Sequence, residues 1–147
     1  MQHCLDSVLR WAEVWQLTLS VAKCTILVLG NVKLSNVYKL GDTPLPNVNH
    51  NTDLDVVLDN QLTFKLHING IIVRANQRAA LILRCFYTRD PTRLIKEFTV
   101  YVLPLLEYSC SVWSPHLMCL INCIECVQRY FTKKNLRELE TCPMMKN

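Results

Sequence analysis

After Phe64 the apolar residues of this chain change their period, and that change limits the fold more than any other feature. Ile68, Ile71, Ile72, Ala75, Ala79, Ile82, Leu83 and Phe86 recur at intervals of three and four. Sustained over about five turns, this spacing predicts a long helix with one buried face. Before Phe64 helical spacing holds only once, at Leu5, Val8, Leu9, Ala12 and Trp15. Beyond that first helix the predicted elements are short and extended. Thr25 to Leu29 is built from β-branched residues and leucine and reads as a strand. Asn36 to Leu40 and Leu45 to Val48 flank Gly41-Asp42-Thr43-Pro44, a cluster of turn formers that predicts a hairpin. Asp53 to Asp59 alternates acidic and apolar residues before its valine pair, which predicts one further short strand with a buried face.

Punctuation divides the helical half. Asp90-Pro91 combines an N-cap carboxylate with proline at the first helical position, leading into Leu94, Ile95, Phe98 and Tyr101. Pro104 interrupts that helix at its end, a shorter segment runs from Leu105 to Trp113, and Ser114-Pro115 predicts another capped start. The last helix carries Leu117, Leu120, Ile121, Ile124, Val127 and Phe131, and its pattern fades beyond Lys134. The expected fold class is α+β: an N-terminal helix with small antiparallel strands over residues 1–63, then a mainly helical region over 64–147. The one boundary lies near Asn60 to Phe64.

With 147 residues, half of them hydrophobic, the chain has material for a globular core. Its apolar runs are strand-sized, and Met1 to Asp6 lacks the basic flank and apolar core of a secretion signal. The expectation is an intracellular protein of the nucleus or cytoplasm, neither secreted nor membrane-spanning. In that reducing setting its eight cysteines are expected to be free thiols. Charge is uneven: four basic and six acidic residues precede Lys65, and twelve basic and six acidic follow from it. A basic second half suits a polyanionic partner, although a solvated helix face gives the same count.

Four stretches, in order and spanning Leu5 to about Lys134, resemble the end of the polymerase region in jockey-like and chicken-repeat-like LINE (non-LTR retrotransposon) reverse transcriptases. Leu5 to Leu17 with Lys23-Cys24-Thr25 is similar to the family's paired tryptophans and "N-x-x-K-C" segment. Asp53-Leu54-Asp55-Val56 resembles "D-L-G-V", followed by Leu62 to His67 for "L-x-F-x-x-H". Arg74 to Arg78 and Arg84 to Asp90 resemble "K-A-x-x-R" and "R-x-F-x-x-R-D". Most specific are Tyr101 to Pro115, similar to "Y-V-R-P-L-L-E-Y-x-x-x-V-W-S-P", and Ile124 to Thr132, similar to "I-E-x-V-Q-R-x-F-T".

The resemblance implies the C-terminal part of the palm, with a primer-gripping hairpin, in residues 1–63 and a helical thumb in 64–147. The inherited task would be holding an RNA–DNA or DNA template-primer duplex. The catalytic "F/Y-A-D-D" aspartates, which bind Mg²⁺ in the intact family enzyme, have no counterpart here. The chain alone is therefore expected to be an inactive fragment needing the missing upstream polymerase region, with no catalytic residue, metal or cofactor of its own. In an intact enzyme Lys23 would lie beside the nucleotide site, able to neutralise or protonate departing pyrophosphate. Ser20 departs from the family's asparagine in that segment, and Asp55 stands where the family has glycine, placing a carboxylate near primer phosphates.

Lys65, Arg74, Arg78 and Arg84 are the candidate phosphate contacts, with Arg74 and Arg78 on one face at i, i+4 spacing. Asp53 and Asp55, at strand spacing, are a poor two-metal clamp and read equally well as a water-exposed hairpin edge. His116, Cys119, Cys123 and Cys126 invite a metal reading. On one straight helix, however, the three thiols span about 10 Å, too far for a single tetrahedral zinc. Trp11, Trp15 and Trp113 are expected in the core rather than as base-stacking platforms, unless the absence of palm elements uncovers Trp11 and Trp15. The competing function is a non-catalytic basic helical module with weak duplex affinity, or a decayed element remnant with no activity.

Overall fold

The computed structural model describes residues 1–31, 36–85 and 90–140. The chain divides into two compact units, Met1–Thr63 and Phe64–Asn147. Phe86, the last residue of the long helical pattern, lies outside the described residues, as does Cys142. The secondary structure is α+β, with most regular residues helical and the strands short.

In the first unit, helix α1 spans Gln2–Val14. It ends because Gln16 adopts a left-handed φ of 54°. The Gln16 N–H then reaches the Glu13 carbonyl at 3.1 Å and the Leu17 N–H reaches the Ala12 carbonyl at 2.8 Å. This closing pattern usually takes glycine, because a Cβ is disfavoured at positive φ. A 3-10 turn at Val21–Lys23 leads to strand β1, Ile26–Leu27. Strands β2, Lys39–Leu40, and β3, Thr43–Pro44, form an antiparallel hairpin around Gly41 and Asp42. The expected hairpin is therefore real but tighter than the sequence suggested. Thr43 and Pro44, assigned to the turn, belong to its second strand. Strand β4, Asn47–Val48, leaves the hairpin and pairs in parallel with β1. Strands β5, His50–Asp53, and β6, Val56–Asp59, pair antiparallel from His50↔Asp59 to Asp53↔Val56.

That last pair corrects the single strand expected over Asp53 to Asp59. The chain reverses in the middle of the segment, at Leu54 and Asp55, with φ of 46° and 64°. Two successive positive φ values define the tight hairpin turn whose twist matches that of the flanking strands. Asp53 ends one strand and Asp55 sits in the turn, so they do not share a strand face. Ala12, Leu40 and Val56 form the buried core of the unit.

The second unit is helical. Helix α2 spans Lys65–Cys85, α3 Pro91–Tyr101, α4 Leu103–Glu107, α5 Cys110–Trp113 and α6 Met118–Glu140. The apolar period of α2 is realised, with Ile68, Ile71, Ala75, Ala79 and Ile82 buried. Helix α2 packs against α3, α4 and α6. Asp90 caps α3 as expected, its Oδ1 accepting from the Thr92 N–H at 3.1 Å. Such a cap contributes about 1 kcal/mol. Pro104 sits in the first turn of α4, just past the break at Val102, where its missing N–H is tolerated. Phe98 and Phe131 meet with ring centroids 4.6 Å apart, tying α3 to α6.

Ser114-Pro115 does not start the last helix. Ser114 closes α5, and α6 begins at Met118, with the Leu117 carbonyl accepting from the N–H groups of both Leu120 and Ile121. Proline's fixed φ suits extended backbone as well as a first helical turn. Helix α6 also continues past Lys134 to Glu140, where helix-forming residues replace the apolar repeat. No described helix is long and apolar enough to cross a membrane.

Candidate nucleic-acid interface

The candidate cations lie mainly on α2, whose buried face orients them. Ala75 and Ala79 point inward, so their neighbours Arg74 and Arg78 emerge at the side of the same helix, both exposed. At about 100° per residue, Arg74 and Arg78 are roughly 40° apart around the axis and about 6 Å apart along it. They form one stripe. Lys65, also exposed, lies roughly 180° around the helix from Arg74. Arg84, exposed in the last turn, is about 28 Å of rise from Lys65 and on neither stripe. The four predicted residues thus share a helix but not a face. Arg84 has a second, simpler role, since a cation in the last turn complements the helix dipole.

Arg78 also rims a groove between α2 and α3, a cavity of about 350 Å³ lined by Leu81, Ile82, Cys85, Glu97 and Tyr101. Glu97 there opposes an anion, whereas Arg78 favours one. Three further cations of the unit have local partners. Arg93 pairs with Asp90 at 3.6 Å, Arg129 with Glu125, and the Lys134 ammonium lies 5.7 Å over the Tyr130 ring. These exposed pairs contribute little stability individually.

Lys23 is exposed at the end of the 3-10 turn in the first unit. The Ser20 carbonyl accepts its N–H at 3.0 Å and the Cys24 thiol at 3.4 Å. Ser20 therefore supports the turn through its backbone. The aspartates do not converge as a two-metal clamp would require. Asp53 and Asp59 sit at opposite ends of the β5–β6 hairpin, roughly 10 Å apart at strand rise. Asp59 Oδ2 is held by the Thr63 N–H and hydroxyl at 3.1 and 3.0 Å. Mg²⁺ does not fit this set.

Cys119, Cys123 and Cys126 are exposed thiols on α6, and no group of three metal-ligating side chains converges among the described residues. Trp113 is buried at 2% exposure, as expected, and its Nε1–H donates to the Tyr108 carbonyl at 2.7 Å. His67 packs on the Trp113 ring, with centroids 5.4 Å apart. With Val102 and Leu106 also buried, the segment Tyr101 to Pro115 contributes three side chains to the core of the unit. Trp11 and Trp15 depart from the core expectation, at 54% and 65% exposure.

The chain is similar to proteins of two animals. Over 82 residues, 56% of the chain, it is 33% identical to an uncharacterized protein of Caenorhabditis elegans, covering 41% of that protein. Over 109 residues, 71% of the chain, it is 27% identical to a Drosophila melanogaster protein described as a probable RNA-directed DNA polymerase from transposon X-element. It covers 12% of that polymerase. The chain thus spans less than half the length of either relative. No family model matches, and no solved structure matches. The likeness to the transposon polymerase gives the chain a reverse-transcriptase-related origin.

Proposed function

We propose that this chain is the palm end and thumb of a non-LTR retrotransposon reverse transcriptase, whose task is to hold a template-primer duplex rather than to transfer nucleotides. The observation that carries this reading is the similarity to a transposon polymerase along 71% of the chain. The exposed Arg74–Arg78 stripe supports it by offering two guanidinium groups to neighbouring phosphates, a contact that is independent of base sequence. Lys65 and Arg84 are secondary phosphate contacts, because one duplex surface cannot face all sides of a helix at once. In this setting Lys23 acts only where an intact polymerase supplies the nucleotide site and its Mg²⁺.

Fluorescence anisotropy with a labelled RNA–DNA hybrid tests the proposal on the full chain. Binding is expected to weaken linearly on a logarithmic salt scale. Arg74→Glu with Arg78→Glu should flatten the salt slope by about two, one for each lost phosphate contact, while Lys65→Glu changes it less. An undetectable signal at low salt, or a double variant indistinguishable from the parent, sinks the reading.

A further inference from the structure

Helix α1 carries two apolar seams, one residue apart, and the fold uses only one of them. The inner seam is Gln2, Leu5, Leu9 and Ala12, at spacings of three, four and three. Its three apolar members are partly or fully buried. Gln2 joins α1 to the β2–β3 hairpin: its Oε1 accepts from the Lys39 N–H at 3.0 Å and its Nε2 donates to the Lys39 carbonyl at 2.8 Å. The second seam is Met1, Cys4, Val8, Trp11 and Trp15, at spacings of three, four, three and four. All five are exposed, Val8 at 49% and Met1 at 79%. The two indoles already contact each other at 6.4 Å between centroids. Val14, 75% exposed, widens the strip.

An alternation of three and four over two heptads is the surface that another helix fills by inserting side chains into the holes between residues. We propose that the second seam of α1 is a self-association surface, filled by α1 of a second copy of this chain across a two-fold axis. Three observations favour a second copy. The strip and its flanks, Ser7 and Val14 on one side and Leu5 and Ala12 on the other, carry no charged residue, so identical strips meet without repulsion. Asp6 and Glu13 point well away from it around the helix, and Arg10 borders it beside Val14. The uncovered apolar area is on the order of 500 Å², counting about half or more of each tryptophan, near the upper end for a patch on a monomer. Two such strips bury about 1,000 Å² together, the lower bound for a specific pair. That area fits a dimer of modest affinity that dissociates on dilution. A symmetric contact of this kind is closed, so association stops at two copies.

Sedimentation velocity of the full chain over a wide dilution series tests the proposal, together with tryptophan emission. The expected result is a twofold rise in mass on concentration, accompanied by a blue shift as Trp11 and Trp15 leave water. Trp113 is already buried and contributes a constant background. Trp11→Glu and Trp15→Glu, each with an unchanged far-ultraviolet circular dichroism spectrum, should stay monomeric at concentrations where the parent pairs. Glu13→Lys, on the far side of the helix, should leave pairing intact. A monomer at every concentration with no spectral shift overturns the proposal, as does a dimer that survives the tryptophan changes or a series that grows beyond two. The emission shift needs only the unaltered chain, so it decides the matter even if a variant misfolds.

Discussion

At the scale of single residues, backbone conformation explains what side-chain chemistry alone could not. Asp55 occupies the position where the resembled family has glycine, and the sequence could register only the substitution. Its φ of 64°, next to 46° at Leu54, gives the reason: the turn needs left-handed backbone at both central positions. Aspartate tolerates that region better than most residues but less well than glycine. Asp55→Gly is therefore expected to stabilise the chain by about 0.5–1 kcal/mol, and Asp55→Val to destabilise it by at least as much. Denaturant titration followed by circular dichroism checks both. Trp113 shows the opposite case. A tryptophan in an apolar stretch is readable as core from the sequence, but its bond to the Tyr108 carbonyl is not, because the partner is a backbone oxygen five residues earlier that becomes a nearby acceptor only after the chain turns at Ser109.

At the scale of elements, legibility follows the strength of the local signal. The buried stripe of α2 repeats over five turns, and the Asp90 cap is a local hydrogen bond, so both are written in neighbouring residues. Strand β5 was hidden because His50-Asn51-Thr52-Asp53 is exposed throughout and offers no apolar alternation. The parallel β1–β4 pair depends on residues about twenty positions apart and leaves no local mark. Ser114-Pro115 failed as a helix start because the same dipeptide also serves an extended link. The spacing of α2 also fixes which residues must stay small. Ala75 and Ala79 are wholly buried where the helix meets its neighbours. Ala75→Leu is expected to cost about 1–3 kcal/mol through overpacking, read as a lower denaturation midpoint. An unchanged midpoint means that the packing gives way more easily than full burial of Ala75 implies.

At the scale of the whole chain, the uneven charge visible in the sequence falls across the two units, with the basic excess on the helical one. That field is what the salt titration reads: a long-range, screened attraction that depends on how many phosphates are met rather than on any one base. The candidate interface was legible as a set of residue types on one helix. Its split into one arginine stripe and two outlying cations emerges only when positions are wound around the axis. The core of the first unit is thin, with three buried side chains among the described residues, and leaves its arrangement dependent on polar contacts. Gln2 is the clearest of these. The two seams of α1 are about 100° apart, and the one holding both tryptophans offers the larger apolar area. Gln2 clasps both backbone groups of Lys39 and so fixes the rotation of α1 against the β2–β3 hairpin, with Leu5, Leu9 and Ala12 inward and the tryptophan seam outward. One side-chain amide thereby serves as the rotational stop of the helix, and the tryptophans stay available to the outside.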